Sequence, residues 1–257
     1  MKKKYLIAGV ILLIAAIVCI LVFFGVFQND ESAMVDYELT TEEEEEETTE
    51  EAAEETEDAY ESPIDFETLQ AQNSDIYAWL DIPGTDISYP VLQNADDDTM
   101  YLDHGEDGSS STAGALFTEH RYNSLDFSDP VTIIYGHHMR SGVYFGNLQS
   151  IYSDADNFEE YSEAVIYLPD SELHYTVYAA IPYDNRHILY YYDCTVASDY
   201  NTFLSTVSGI RVIGANYNED VEVTTEDSLL ILSTCLQGDN TQRYLVLFKL
   251  DEESQSE

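Results

Sequence analysis

The carboxyl-terminal part of the chain brings a cysteine and an arginine close together in one predicted hairpin. The strand-like run 229–234 leads to Cys235, and Arg243 opens the next apolar run, residues 244–250. Neighbouring runs of this kind pair as antiparallel strands, so Cys235 and Arg243 are predicted to face each other, joined by a seven-residue loop. A thiolate is a strong nucleophile, and a guanidinium offers a rigid fork of donors to a carbonyl or an oxyanion. The pair therefore indicates acyl transfer through a cysteine.

A histidine follows another predicted strand. Residues 131–135 have the pattern of a buried strand that ends at Gly136, with His137 and His138 directly after it. The end of a strand that opens into a loop is a common place for a catalytic side chain. An imidazole there can take the proton of a thiol and return it to a leaving group.

Each of these residues also has a purely structural interpretation. A single cysteine at a strand end is most often a small buried apolar residue. A disulfide between Cys194 and Cys235 would remove the nucleophile, although the neighbours of Cys194 give no sign of a reactive site. The acidic run 96–98 lacks the ligand spacing of a calcium loop and is predicted to be a polar turn. We therefore expect neither a metal nor a cofactor.

The elements that must position these residues are mostly strands. Short β-branched and aromatic segments predict strands at 87–92, 115–118, 131–135, 164–168, 174–181, 228–233 and 244–250. Apolar residues at helical spacing predict helices at 64–80, with a break at 73–74, at 144–152 and at 198–210. Ser198 and Asp199 are the N-cap candidates of the last helix. The predicted fold class is mainly β, a closed mixed barrel with N-terminal and peripheral helices.

The charge balance excludes nucleic acid as a default partner. The chain has 51 acidic and 9 basic side chains and a formal net charge of -42, whereas phosphate binding needs clustered Lys and Arg. The charge is unevenly distributed, because residues 28–62 contain 17 acids and no base. Such a segment cannot bury apolar area and repels itself, so it is predicted to be a disordered linker. Residues 63–257 remain as the catalytic domain.

Residues 1–27 predict a membrane anchor. Three lysines, Lys2 to Lys4, precede 23 uncharged residues that end at Phe27. As a helix this stretch would be roughly 34 Å long, enough for a bilayer core of about 30 Å. No small-x-small cleavage site follows it. Lysines before the span and acids after it place the N-terminus in the cytoplasm and the domain outside.

The chemical motifs resemble those of sortases, and within that family those of class B. The segment 232–235 (Leu-Ser-Thr-Cys) with Arg243 is similar to the family's Thr-Leu-x-Thr-Cys strand end and the arginine on its next strand. The segment 135–137 (Tyr-Gly-His) with Met139 is similar to the class B Tyr-Gly-His-Asn-Met segment. The likeness extends over about residues 66–250.

The likeness has two departures. His138 stands where the family has Asn, so alignment makes His137 the catalytic histidine. Ile231 stands where the family usually has Thr.

The resemblance implies a cysteine transpeptidase on the outer face of a Gram-positive membrane. Cys235 would cleave a C-terminal sorting motif of a secreted protein after its Thr and form a thioacyl enzyme. His137 would exchange protons with the leaving and incoming amines, and Arg243 would position the substrate and stabilise the oxyanion. Ser233 and Thr234 are the candidate substrate-binding residues.

The implied partners are secreted proteins with a C-terminal sorting signal, and an acceptor amine from a peptidoglycan precursor or a pilin. The connection 182–226, with the helix predicted at 198–210, would shape the substrate groove.

Two other functions stay open at this stage. A cysteine peptidase would use the same residues but release the acyl group to water. A non-catalytic, membrane-tethered β-barrel module would need none of them. The L,D-transpeptidases also use a surface cysteine, but their arginine lies next to it in sequence, whereas Arg243 is eight residues from Cys235.

Overall fold

The computed structural model describes residues 60–251 of the 257-residue chain. The predicted anchor at 1–27 and nearly all of the predicted linker at 28–62 lie outside this range. Between residues 60 and 251, no helix has the length and apolar character needed to cross a membrane.

The described residues form one sheet and five short helices. The strands are β1 Ile76–Asp81, β2 Ser88–Leu92, β3 Leu116–Phe117, β4 Val131–Tyr135, β5 Glu163–Tyr167, β6 Glu172–Asp184, β7 Asn216–Tyr217, β8 Leu229–Leu236 and β9 Asp239–Leu250. The helices are α1 Phe66–Gln72, α2 Leu148–Tyr152, α3 Ala155–Glu160, α4 Ile188–Tyr191 and α5 Ala197–Gly209, and a 3-10 turn spans Met100–Leu102.

Eight of the strands close into a barrel. They follow the order β5-β1-β2-β3-β4-β8-β9-β6, and β5 also pairs with β6, while β7 extends the sheet beyond β6. The β2–β3 and β4–β8 pairs are parallel and the remaining pairs are antiparallel. The prediction of a mainly β, closed mixed barrel with N-terminal and peripheral helices is confirmed.

The central strands are buried on both faces, which explains their nearly continuous apolar sequence. On β8, Leu230 and Leu232 belong to the main cluster inside the barrel. Leu229 and Ile231 point the other way and pack in a second cluster on the outer face. Helix α5 covers that outer face with four buried side chains, Tyr200, Phe203, Leu204 and Val207.

Several predicted element bounds were wrong. Residues 76–80, predicted as the second half of a helix, form β1, which pairs with β2 and β5. Helix α2 begins at Leu148 and not at residue 144, because Tyr144 has a left-handed backbone with φ of 53°. Helix α5 begins after Val196, whose side chain makes no cap bond, so neither Ser198 nor Asp199 is its N-cap.

The hairpin around the cysteine is tighter than predicted. Strand β8 continues to Leu236 and β9 begins at Asp239, so Gln237 and Gly238 are the only residues between them. Gly238 has φ of +85°, a conformation that glycine adopts without steric cost. The seven-residue loop is therefore replaced by longer strands and a two-residue turn.

Candidate active site

Cys235 and Arg243 are direct cross-strand partners. They occupy paired positions in the antiparallel register of β8 and β9, next to the irregularity between Cys235 and Leu236. Nη1 of Arg243 donates to Sγ of Cys235 over 3.8 Å. The predicted juxtaposition is therefore present in the fold.

The guanidinium of Arg243 donates hydrogen bonds to backbone carbonyls and forms no ion pair with a described acidic side chain. Its Nη1 also donates to the carbonyls of Asn240 at 3.1 Å and Gln242 at 3.2 Å. No ion pair within residues 60–251 includes Arg243. Arg186 in the same cavity is different, because its Nη2 pairs with Asp184 at 2.6 Å. The positive charge of Arg243 is thus left available to a ligand.

Strand alternation puts the predicted catalytic residues on one face of the barrel. Cys235 continues the outward-facing series of Leu229 and Ile231, because successive side chains of a strand point to opposite faces. On β9, Arg243 lies two residues before the outward-facing Leu245, so its side chain also points outward. On β4, Val131 and Ile133 point outward, which gives His137 the same parity if the strand direction continues. The amide of Gly136 continues the ladder by donating to the carbonyl of Ser233 at 3.1 Å.

His137 is oriented by a backbone carbonyl. Its Nε2 lies 2.7 Å from the carbonyl oxygen of Leu102. A carbonyl can only accept, so Nε2 carries a proton and Nδ1 is the ring nitrogen left for proton exchange. His138 does not share this position: its backbone forms a bridge with Tyr144, and it does not line the cavity around Cys235.

One cavity of about 230 Å³ joins these residues. His137, Cys235 and Arg243 all line it, together with residues 183–188, which we call the cavity wall. Helix α5 does not line this cavity, and a role of that helix in shaping the substrate groove stays a prediction. The beginning of the connection 182–226 lines it instead, and α5 packs on the outer face below.

Ser233 and Thr234 line the same cavity but are buried, with exposed fractions of 5% and 2%. Thr234 has the inward parity of Leu230 and Leu232, and its hydroxyl has no hydrogen-bond partner among the described residues. A direct substrate contact by these side chains remains a prediction.

At Gly114 the backbone passes close to His137 and to the segment 101–102, whose Leu102 carbonyl orients that histidine. Its φ is +63°, and a Cβ there would collide with the carbonyl of Tyr101 and come within 3.2 Å of Cδ2 of His137. Tyr101 precedes Leu102, whose carbonyl orients the histidine. Glycine is therefore required both for the backbone conformation and for the space.

We expect Gly114→Ala to lower the free energy of unfolding by about 1–3 kcal/mol more than Gly108→Ala, and to reduce activity through displacement of His137. Gly108 is the matched control: its φ is +73°, but nothing lies within 4 Å of the added Cβ. Urea unfolding of both variants measures the difference. Equal losses for the two would show that the contact with Tyr101 and His137 has no steric consequence.

The two described cysteines differ in environment. Cys194 and Cys235 are both free, so the alternative of a disulfide between them is wrong. Cys194 is packed in the outer-face cluster, and burial raises the pKa of its thiol to about 12, with Asp193 and Asp199 adding to the effect. Cys235 is half-buried and opens into the cavity.

We expect a thiol reagent to modify Cys235 and leave Cys194 unmodified at any pH from neutral to about 10. A raised pKa keeps Cys194 in the unreactive thiol form until the pH approaches its value. Peptide mapping by mass spectrometry after brief alkylation compares the two sites. Modification of Cys194 at a rate similar to that of Cys235 would contradict this account of its burial.

Sequence reasoning missed three contributors to the site. Leu102 orients His137 through its carbonyl, which no side-chain pattern reveals. Glu119 and His187 form a pair at 2.7 Å beside the cavity, although they are 68 residues apart in the chain. Glu119 and His187 belong to no recognisable spacing motif, and it is the closed barrel that brings them together.

Comparison with known proteins shows the family to which this chain belongs. The family profile described as Sortase domain matches residues 80–251, which include every predicted catalytic residue. The chain belongs to the sortase family.

Two curated relatives and three solved structures are class B sortases or sortase B proteins. The chain is 32% identical to Sortase B of Listeria monocytogenes over 169 residues, which is 65% of this chain and 65% of the relative. It is 29% identical to Sortase B of Staphylococcus aureus, over 72% of this chain and 74% of the relative. The alignment with the Listeria protein thus spans slightly less than two thirds of that protein's length.

The solved structures share the fold. A Streptococcus pyogenes class B sortase involved in pilus biogenesis has a TM-score of 0.61 at 28% identity, with 73% of this chain and 98% of that chain covered. A Staphylococcus aureus sortase B–substrate complex gives 0.61 at 27% identity, covering 72% and 84%. A sortase B complexed with triglycine gives 0.62 at 28% identity, covering 72% and 85%. Membership of the sortase family, and the resemblance to its class B, are therefore confirmed.

Proposed function

We propose that this sortase is a cysteine transpeptidase that cleaves a C-terminal sorting motif of secreted proteins after Thr and transfers the protein to an amine. The observation that carries the proposal is the cross-strand pair of Cys235 and Arg243, with Sγ and Nη1 3.8 Å apart in a cavity that His137 also lines. The sortase family consists of cysteine transpeptidases, which supports the same assignment.

In the first half-reaction, Cys235 loses its proton to Nδ1 of His137 and its thiolate attacks the Thr carbonyl. The carbonyl carbon gains a C–S bond, and its oxygen becomes an oxyanion. The unpaired guanidinium of Arg243 stabilises that charge. Collapse of the intermediate breaks the C–N bond, and His137 returns its proton to the leaving amine. The product is a thioester on Cys235.

In the second half-reaction, an acceptor amine attacks the thioester. His137 takes the proton from the attacking nitrogen, and Arg243 again stabilises the oxyanion. Breakage of the C–S bond releases Cys235 and leaves a new amide bond. In the first half-reaction His137 takes one proton from Cys235 and gives it to the leaving amine. In the second it takes one proton from the acceptor amine and returns it to Cys235, so the number of protons on the enzyme is unchanged over the cycle.

We propose that the acceptor is a primary amine of a peptidoglycan precursor or of a pilin. Two solved relatives support these classes: one is a sortase B complexed with triglycine, and another is a class B sortase involved in pilus biogenesis. The acidic domain favours the approach of a positively charged amine at low salt.

We also propose that residues 1–27 anchor the enzyme in the cell membrane with its N-terminus inside, and that residues 28–62 hold the catalytic domain outside. The support is the uncharged stretch after three lysines and the acidic run that follows it. An anchored enzyme would meet secreted substrates and cell-wall precursors at the same surface.

The partition of the acyl group between amine and water tests the transpeptidase proposal. Labelled peptides carrying candidate sorting motifs are incubated with the full chain at increasing triglycine concentration. We expect the transfer product to increase with triglycine at the expense of the free acid. Hydrolysis alone, at every triglycine concentration, would favour a cysteine peptidase instead.

A further inference from the structure

The carboxylate of Glu119 forms a hydrogen bond with the cavity wall. Its Oε2 accepts from Nε2 of His187, in the cavity wall, at 2.7 Å. Glu119 also lies two residues after Phe117, which pairs with Tyr135 at the end of β4, two positions before His137. The side chain of Glu119 is only 15% exposed, so water competes little for this bond.

The ring of His187 uses both nitrogens. Its Nδ1 accepts from the backbone amide of Tyr190 at 3.1 Å and caps helix α4, so Nε2 must carry the proton that Glu119 accepts. The ring of Tyr122 lies against it with centroids 4.7 Å apart. His187 therefore fixes the cavity wall to the start of α4 through one nitrogen and to Glu119 through the other.

Two carboxylates act on the imidazole of His187. The hydrogen bond to Glu119 is the main reason that the pKa of His187 is raised above its ordinary value, and Asp98 contributes in the same direction. Burial raises the pKa of Tyr135 well above its ordinary value, and Glu119 adds to that shift while Arg243 opposes it. Glu119 thus accepts a hydrogen bond from the imidazole of His187, whose ring centroid lies 6.4 Å from that of Tyr135 at the end of β4.

We propose that Glu119 is a positioning residue of the active site, which holds the cavity wall at a fixed distance from the strand end that carries His137. The proposal rests on the proposed transpeptidase function for its kinetic consequence. Without Glu119 the wall loses its hydrogen bond to the segment that follows β3, and the sorting peptide must order the wall when it binds. The loss should therefore affect peptide binding more than the chemical steps.

Steady-state kinetics of graded variants tests the proposal. We expect Glu119→Ala to raise KM for the sorting peptide about 10-fold, while kcat changes by less than about 3-fold. Glu119→Gln keeps one acceptor oxygen for Nε2 of His187 but loses the negative charge, so its KM should rise only about 3-fold.

The chain supplies a matched control. His174 and Glu172 form a similar pair at 2.9 Å, at the beginning of β6. The cavity wall lies at the other end of that strand, roughly 30 Å away. Glu172→Ala should therefore leave both kinetic constants within about 2-fold of the parent enzyme.

Hydrogen exchange gives a second measurement that does not depend on catalysis. We expect residues 184–191 to exchange faster in Glu119→Ala, and at the parent rate in Glu172→Ala. Unchanged exchange in this segment, or a fall in kcat with KM unchanged, would overturn the proposal. If residues 184–191 exchange faster in Glu119→Ala but the parent enzyme transfers no peptide, the positioning role is supported and the proposed function is contradicted.

Discussion

Cys235→Ala is expected to abolish peptide cleavage and transfer, with kcat reduced by at least about 10⁴-fold. The alanine has no nucleophile, and residues 60–251 offer no second reactive thiol, because burial raises the pKa of the Cys194 thiol to about 12. The loss should leave the fold intact, since Cys235 lies half-buried at the end of a strand whose core residues are unchanged. Peptide turnover with and without triglycine measures the effect.

The control for this variant is Cys194→Ala, which removes the other described cysteine from the outer-face cluster. It should retain parent activity within about 2-fold and lose a little stability. Transfer by Cys235→Ala within about 10-fold of the parent rate would exclude the thioacyl mechanism.

Arg243→Gln is expected to reduce kcat/KM by about 10²–10³-fold. The cause is the loss of an arginine that, unlike Arg186 with its partner Asp184, has no acid partner among the described residues of the cavity. Arg243→Lys keeps the charge but loses the rigid fork of donors, so its loss should be intermediate. Both variants are compared with the parent enzyme by single-turnover cleavage of the same peptide.

Arg121→Gln is the matched control, because it changes the net charge equally at a side chain that is 75% exposed and does not line the cavity. It should stay within about 2-fold of the parent. An Arg243→Gln enzyme as active as this control would show that the guanidinium does not stabilise the reaction.

The pairing of Cys235 with Arg243 in the β8–β9 hairpin followed from the sequence because local patterns determine it. Two apolar runs around Gly238 pair as neighbours, and the alternation of side chains then places Cys235 and Arg243 on the same face. His137 was found for a similar reason, since the buried run 131–135 marks the strand that ends just before it.

The parts of the site that were not predicted depend on contacts between distant segments. Leu102 reaches His137 across 35 residues of chain, and Glu119 reaches His187 across 68. Strand β1 was mistaken for a helix because Ile76 and Leu80 continue the helical spacing of α1. Pairing with β2 and β5, which the local pattern does not contain, decides in favour of the strand.

The position of the cavity wall also could not be predicted from local sequence patterns. The helix predicted at 198–210 exists as α5, but its apolar side chains bind to the outer face of the barrel. The segment that does line the cavity, residues 183–188, combines the end of β6 with a short loop held by hydrogen bonds and an ion pair. Such a segment has no periodicity from which its position can be predicted.

Mass spectrometry of the enzyme mixed with a sorting peptide in the absence of an amine tests the central claim most directly. We expect a covalent adduct on Cys235 whose mass equals the peptide up to and including its Thr, and we expect triglycine to discharge it as the transfer product. Cleavage of the peptide without an adduct on Cys235, or an adduct on another residue, would contradict the account.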